Sequence, residues 1–275
     1  VKFYPGEVNA VVGENGAGKS TLMKVMVGAY KQDEGTILFQ GQAVSFNHPI
    51  DAQKMGISII YQEFNLLPER TVAQNIFLGR EPSRYGVVNV RQLNKQARSV
   101  LQEIGVDEMI SPTALTSTLS VAEQQLVEIA KAISLDARVL IMDEPTASLT
   151  STEVQLLSDL ISRLKEKGLA IIFISHRLAE VFAVAEKITV LKDGQYVGTA
   201  HTEEATPEDI VYMMVGRVLD HYFPPLGSPE DLGDVVLRVK DGANDFLSDI
   251  NLELRKGEVL GIAGLQGSGR TELAE

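Results

Sequence analysis

Apolar residues in this chain come in short blocks of strand length, set between stretches with helical spacing. The first block, Val8 to Val12, runs into a glycine-rich loop from Gly13 to Gly18, and the loop runs into Ser20 to Val27, rich in helix-forming Leu, Met and Lys. That order predicts strand, loop, helix. Further strands are predicted at Ile57 to Tyr61, Val139 to Met142 and Leu169 to Ile174. Helical stretches rather than hairpin turns separate them, so a largely parallel sheet with helices on its faces is expected. The expected fold class is α/β.

Several helices announce their ends. Thr150 with Glu153 makes a capping-box pattern, followed by apolar Val154, Leu157, Leu160, Ile161 and Leu164 and stopped by Gly168. Asn89 heads a second helix carrying Leu93, Ala97, Val100, Leu101 and Ile104, with Gly105 after it. Thr206 and Pro207 start a third that ends at Gly216. Asp193-Gly194, between Val190 and Val197, predicts a hairpin turn and hence an antiparallel portion of the sheet.

From Val215 to Val236 the pattern fails: Pro224, Pro225, Pro229, three glycines and several acids replace any apolar period, as in an interdomain linker. Beyond it the sequence starts again. Lys256-Gly257-Glu258-Val259 and Gly264-Leu-Gln-Gly267-Ser-Gly269-Arg270-Thr271 match Pro5-Gly6-Glu7-Val8 and Gly13-Glu-Asn-Gly16-Ala-Gly18-Lys19-Ser20, each 251 positions on. An internal duplication of domain size is therefore expected. The divisions are 1–216 for a first domain, 217–235 for the linker and 236–275 for the start of a second. The opening Val-Lys-Phe-Tyr-Pro-Gly-Glu reads as a cut through a domain, without a signal peptide or initiator Met.

Composition narrows the choice of function. The net charge of −12 removes any large non-specific attraction to nucleic acid phosphates. With no cysteine, disulfides and thiolate metal sites are excluded. No run of about 18 apolar residues exists to cross a membrane.

The chemistry concentrates in two motifs. Gly13-Glu14-Asn15-Gly16-Ala17-Gly18-Lys19-Ser20, with Thr21 behind it, fits a phosphate-binding P-loop. Small residues let the backbone curl around phosphate oxygens, the helix start points N–H groups at them, Lys19 reaches the β and γ phosphates, and the Ser20 hydroxyl can ligate Mg2+. The plainer reading is a glycine turn joining strand to helix. Val139 to Met142 ends in Asp143-Glu144, suited to hold Mg2+ and to orient or deprotonate an attacking water. Two acids after a strand are also ordinary helix-start residues, and it is the P-loop that favours the functional reading.

With these motifs the chain resembles the ABC ATPase family along essentially its whole length. The resemblance implies a mixed sheet, a helical subdomain at about 64–135, and ATP and Mg2+ as ligands. It places Gln62, in Tyr61-Gln62-Glu63, in a Q-loop that senses Mg2+ and the water, and Ala147-Ser148-Leu149-Thr150 in the D-loop. His176, after Leu169 to Ile174 and Ser175, takes the switch position that contacts the γ-phosphate. His48, His201 and His221 keep ordinary structural readings. Leu119-Ser120-Val121-Ala122-Glu123-Gln124-Gln125 occupies the place of the signature Leu-Ser-Gly-Gly-Gln, with Ser120 capping a helix aimed at the γ-phosphate of an opposite domain. The plainer reading of this stretch is an amphipathic helix with core residues Leu126, Ile129 and Ile133. Val121, Ala122 and Glu123 depart from the family pattern, and Arg270 replaces the P-loop lysine in the second copy. In a dimer of two such domains both departures fall on one composite site, so one competent site built on Lys19 and Glu144 and one impaired site built on Arg270 are expected.

The duplication, Leu-Ser-Val-Ala-Glu-Gln-Gln with Val127-Glu128-Ile129-Ala130-Lys131-Ala132, and Gly-Ser-Gly-Arg-Thr-Glu-Leu at 267–273 together resemble the tandem-domain ATPases of bacterial ribose, xylose and galactose importers. That resemblance implies pairing of two ABC domains at the cytoplasmic face of the membrane, permease subunits as direct partners and a periplasmic or surface sugar-binding protein as an indirect one. Residues 64–80 would either face the permease or pack into the helical subdomain. The alternatives are a nucleoside importer ATPase and a soluble tandem-ABC factor acting on ribosomes; the short, proline-rich, acidic linker disfavours the second.

Overall fold

A computed structural model describes residues 1–216, 232–264 and 268–274. These fall into two compact units, one within Val1–Val218 and one within Leu219–Glu275. Most of the linker, residues 217–231 with His221, and residues 265–267 of the second glycine loop lie outside the described residues.

The first unit runs through β1 (Val8–Val12), α1 (Lys19–Met26), β2 (Ile37–Phe39), β3 (Gln42–Val44), α2 (Pro49–Lys54), β4 (Ile57–Ile60), α3 (Val72–Ile76), β5 (Ser83–Arg84), β6 (Val87–Val88), α4 (Val90–Ile104) and α5 (Val121–Ile133). It continues with β7 (Val139–Asp143), α6 (Ser151–Glu166), β8 (Ala170–Ile174), α7 (Leu178–Val184), β9 (Lys187–Lys192), β10 (Gln195–His201) and α8 (Pro207–Val215).

Six strands form one sheet in the order β10-β9-β1-β8-β7-β4. All neighbours are parallel except β10, which returns antiparallel to β9 through the expected Asp193-Gly194 turn. Both turn residues have positive φ, 49° and 76°, the twist that suits a two-residue hairpin. The central strands are largely apolar, with Asn9 of β1 an exception, because both faces are covered. Val8, Ala10, Val12, Leu140, Met142, Ile171 and Phe173 point into one core with Leu126 and Ile129 of α5 and Leu157, Leu160 and Ile161 of α6. Val11, Ile141, Ile172 and Ile174 point to the other side, against Met23 of α1 and Ala52 of α2. Alternation along each strand thus splits one apolar run between two cores.

The anticipated helix ends form as expected. Thr150 and Glu153 exchange hydrogen bonds, Asn89 accepts from Gln92 N–H at 3.0 Å, and Gly105, Gly168 and Gly216 take left-handed positions after α4, α6 and α8. Helix α2, which the sequence reading passed over, is capped by His48, whose Nδ1 accepts from Ile50 N–H at 3.3 Å. That gives His48 a local structural role.

The second unit contains an antiparallel pair, β11 (Val235–Gly242) and β12 (Ile250–Arg255), and a short helix, α9 (Arg270–Ala274). Gly257 and Gly269 have φ of 83° and 87°, against 70° and 96° at Gly6 and Gly18, their counterparts 251 positions earlier. Gly257 and Gly269 thus share the left-handed backbone of the glycines they match in sequence.

Candidate functional site

Because β1, β4, β7 and β8 are parallel, their C-terminal ends open on one edge of the sheet. The segments leaving that edge are Gly13–Gly18, Tyr61–Glu63, Asp143–Glu144 and Ser175–His176. Ligands of open α/β sheets bind outside the carboxyl ends of the strands, where such segments gather.

The loop Gly13–Gly18 leaves Val12 and returns as α1. Gly13 has no room for a Cβ, which would strike the Leu191 carbonyl, and Gly16 and Gly18 have φ of 85° and 96°, conformations that L side chains avoid. Glu14, Asn15 and Gly16 are exposed and Ala17 is buried. Lys19 is 9% exposed and its ammonium donates to the Gly13 carbonyl at 2.8 Å and the Glu14 carbonyl at 3.1 Å. Among the described residues it makes no ion pair, so one of its three donors remains unmatched inside the loop. Burial lowers the Lys19 pKa, against the attraction of Glu144 and Asp143, which raises it. Ser20 and Thr21, on the first turn of α1, are exposed.

Asp143 ends β7, paired in register with Ile174 of β8. Burial pushes its carboxyl pKa up, and neighbouring Glu144 adds to the shift while Lys19 and Lys24 oppose it. A buried ammonium facing half-buried acids fits a ligand that brings both signs of charge, an anionic phosphate chain with its cation. The metal-ligating candidates, the Ser20 hydroxyl and the Asp143 carboxylate, are oxygen donors and few in number, as suits Mg2+, which keeps waters and phosphate oxygens for its other positions. Among the described residues no cluster of three or more His, Cys, Asp or Glu is placed to hold a metal unaided.

Glu144 has φ of 47°, left-handed for a residue other than glycine, and its N–H donates to the Ile174 carbonyl at 2.9 Å. Such strain persists only where the surroundings impose it. Here it turns the carboxylate toward His176, whose Nδ1 lies 3.0 Å from Glu144 Oε1. The two loops are tied behind this pair by a residue that sequence reading missed. The Glu180 carboxylate accepts from the hydroxyls of buried Thr146 and Ser175, and from Arg177 at 3.0 Å. Thr146 and Glu180 are 34 positions apart, and no local spacing signals their contact.

Among the described residues Gln62 and Ser120 make no hydrogen bond to this cluster. Gln62 is exposed, and among the described residues its side chain makes no hydrogen bond. Ser120 caps α5 as expected, but its hydroxyl accepts from Glu123 N–H at 3.2 Å while its own N–H donates to Glu123 Oε2 at 2.7 Å. The departure at 123 thus places an internal carboxylate on the start of this helix. Of residues 64–80, Leu66, Val72, Ala73 and Ile76 are buried in the core, whereas Leu67 and Leu78 are exposed. Beside Gln62 a groove of about 290 Å³ is lined by Ile50, Gln53, Tyr61, Asn65, Glu128 and Lys131, among others. In the second unit Arg270 opens α9 behind left-handed Gly269.

Comparison with known proteins agrees with this geometry. Residues 1–147 match the family model described as ABC transporter. The chain is 51% identical, over 98% of its length, to a ribose/galactose/methyl galactoside import ATP-binding protein of Burkholderia ambifaria. It is 48% identical over its full length to the ribose import ATP-binding protein of Geobacillus kaustophilus. These alignments cover 52% and 55% of the two relatives, so the chain spans about half the length of the curated relatives it matches. Among solved structures, an ATP-binding cassette of an ABC transporter in its ADP conformation superposes with a TM-score of 0.68 at 25% identity, over 79% of this chain and 91% of that one.

Proposed function

The chain belongs to the ABC transporter family, and on that premise we propose that it carries the ATP-binding and hydrolysing cassette of a monosaccharide importer. The observation that carries the ATPase reading is the meeting of Lys19, Asp143 and the Glu144–His176 pair at one sheet edge.

In this reading the backbone of Gly13–Gly18 and the Lys19 ammonium cradle the β and γ phosphates, with Ser20 and Thr21 at the helix start. Ser20 and Asp143, with Gln62, would hold Mg2+, which would spread the charge of the phosphate chain. Glu144 accepts the proton of the attacking water, or orients it, and His176 holds Glu144 on one side and the γ-phosphate on the other. An acid and an imidazole sharing a hydrogen bond can divide those tasks without rearrangement of the sheet. Ser120 completes the site of an opposite cassette, and Glu123 and Arg270 leave that second composite site the weaker of the two.

Sugar import rests on the names of the relatives, at about half identity along nearly the whole chain. Membrane permease subunits are the proposed partners, seated on the groove beside Tyr61 and Asn65. A substrate-binding protein acts outside the membrane and the cassette lies on its cytoplasmic face. The test is to express the complete tandem protein with its neighbouring genes, purify it from membranes and assay ATP turnover with the binding protein and candidate sugars. Co-purified permease and sugar-stimulated turnover support the proposal. Stimulation by nucleosides alone redirects it to a nucleoside importer, and recovery only with ribosomes in the soluble fraction overturns it.

A further inference from the structure

Glu128 is a buried carboxylate on α5, 7% exposed, that the chemistry above does not use. Its Oε1 accepts from the main-chain N–H of Asn65 at 2.7 Å. One helical turn on, the Lys131 ammonium donates to the carbonyl of the same residue at 3.2 Å and lies 4.0 Å from Glu128 Oε2. Two opposite charges three positions apart on one helix therefore grip both polar groups of one residue in a distant segment. A charged acceptor meeting a backbone N–H makes a stronger bond than a neutral one, and breaking it would leave the carboxylate buried without that partner.

The gripped residue has a particular place. Strand β4 ends at Ile60, in register with Met142 of β7. From there residues 61–64, with Gln62 among them, cross to Asn65, the first point held by the helices. The next hydrogen-bonded anchor is Leu67, whose N–H donates to Asn75 Oδ1 at 2.7 Å and whose carbonyl accepts from Asn75 Nδ2 at 3.0 Å. With the grip intact, Gln62 lies on a span of four residues between two fixed ends. Without it the free span extends to 61–65, since Leu66 is held by its burial in the core. Helix α5 is also the helix that Ser120 caps, so one grip links the segment carrying Gln62 to the helix aimed at an opposite cassette.

We propose that Glu128 and Lys131 are positioning residues that fasten Asn65 to α5, hold Gln62 at a set distance from the P-loop, and make the Gln62 segment and the Ser120 helix move as one body. This rests on the reading that Gln62 acts at the bound nucleotide. Any partner segment seated in the groove lined by Tyr61, Asn65, Glu128 and Lys131 would press on this grip directly.

The test compares the complete parent protein with Glu128→Ala and Glu128→Gln by hydrogen–deuterium exchange of peptides spanning 61–67 and by the kcat and KM of Mg-ATP turnover. Glu128→Ala should speed exchange in that segment alone and lower kcat about 10- to 100-fold while KM for ATP changes little. Glu128→Gln keeps an oxygen for Asn65 N–H and should restore most of both. Unchanged exchange in Glu128→Ala, exchange accelerated throughout the domain, or faster local exchange with an unchanged kcat would each overturn the proposal. A parent protein without ATP turnover fails the ATPase reading itself, and the role given to Gln62 falls with it; the first three outcomes, in an active parent, remove only the grip.

Discussion

His176 Nδ1 lies 3.0 Å from Glu144 Oε1, although the two residues are 32 positions apart and sit on different strand ends. The bond exists because β7 and β8 are neighbours in register, Asp143 beside Ile174, and because Glu144 takes a left-handed turn immediately after the pairing.

Since the two side chains share one hydrogen bond, their effects on turnover should not add. Glu144→Gln and His176→Ala should each lower kcat about 10²- to 10⁴-fold with Mg-ATP binding retained, and the double variant should be little worse than the poorer single one. Single-turnover kinetics on the complete protein measures all three. Full additivity would separate the residues functionally.

The two glycine loops should contribute unequally. Lys19→Ala removes the buried ammonium at the first loop and should abolish most turnover, whereas Arg270→Ala should cost less, since in the proposed pairing Arg270 serves the site that Glu123 weakens. Steady-state ATP turnover of the complete protein decides this. Equal losses would refute the asymmetry.

The buried charges at Lys19 and Asp143 work against the fold. The Asp143 pKa is raised, so its contribution to stability is present below the unfolded value of about 3.9 and is lost as pH rises through the folded value. The Lys19 pKa is lowered, so its contribution is present only above the unfolded value of about 10.4 and is lost as pH falls through the folded one. The charged form of each group is therefore held at a cost in the fold. Asp143→Asn should therefore raise the nucleotide-free Tm by about 2–4 °C at pH 7, with the gain shrinking toward pH 4, and should weaken Mg2+-dependent nucleotide binding. Calorimetry between pH 4 and 8 measures the trend.

Glu123 occupies the start of α5 with its own carboxylate. Glu123→Gln keeps the capping pattern and removes the negative charge from a helix end that, in the proposed pairing, faces a phosphate. Turnover of the complete protein should rise, by up to about tenfold, the equivalent of about 1.4 kcal/mol in transition-state binding. An unchanged or lower rate would show that this end does not meet the nucleotide.

Much of the site was legible because its signals are local. Gly13 to Ser20 is a contiguous motif, and the strands carrying Asp143 and His176 are continuous apolar runs whose ends can be read by eye. Thr150 with Glu153 and Asn89 with Gly105 specify helix ends within one turn of chain. The grips of Glu180 on Thr146 and Ser175, and of Glu128 on Asn65, were not legible, since each joins isolated polar residues with no repeating spacing. Nor could the strain at Glu144 be read, because it arises from the bond its N–H makes to Ile174.

The second copy shows where sequence stops. Val259 to Ala263 repeats the strand pattern of Val8 to Val12 and the flanking glycines repeat their backbone angles, yet the segment is not a strand, and Val259, Leu260 and Ile262 are exposed. In the first unit that same pattern is a central strand because β8 and β9 flank it and two cores take its alternating side chains. By itself the sequence determined the local elements, the glycine loop and the repeated motif, all encoded in spacings of a few residues or in one constant offset. Only the tertiary structure decided which of those elements pair, and so which acids, lysine and histidine meet, since a parallel strand gains its hydrogen bonds and burial from neighbours distant in sequence, as Val139 from Ala170 and Val8 from Ile171.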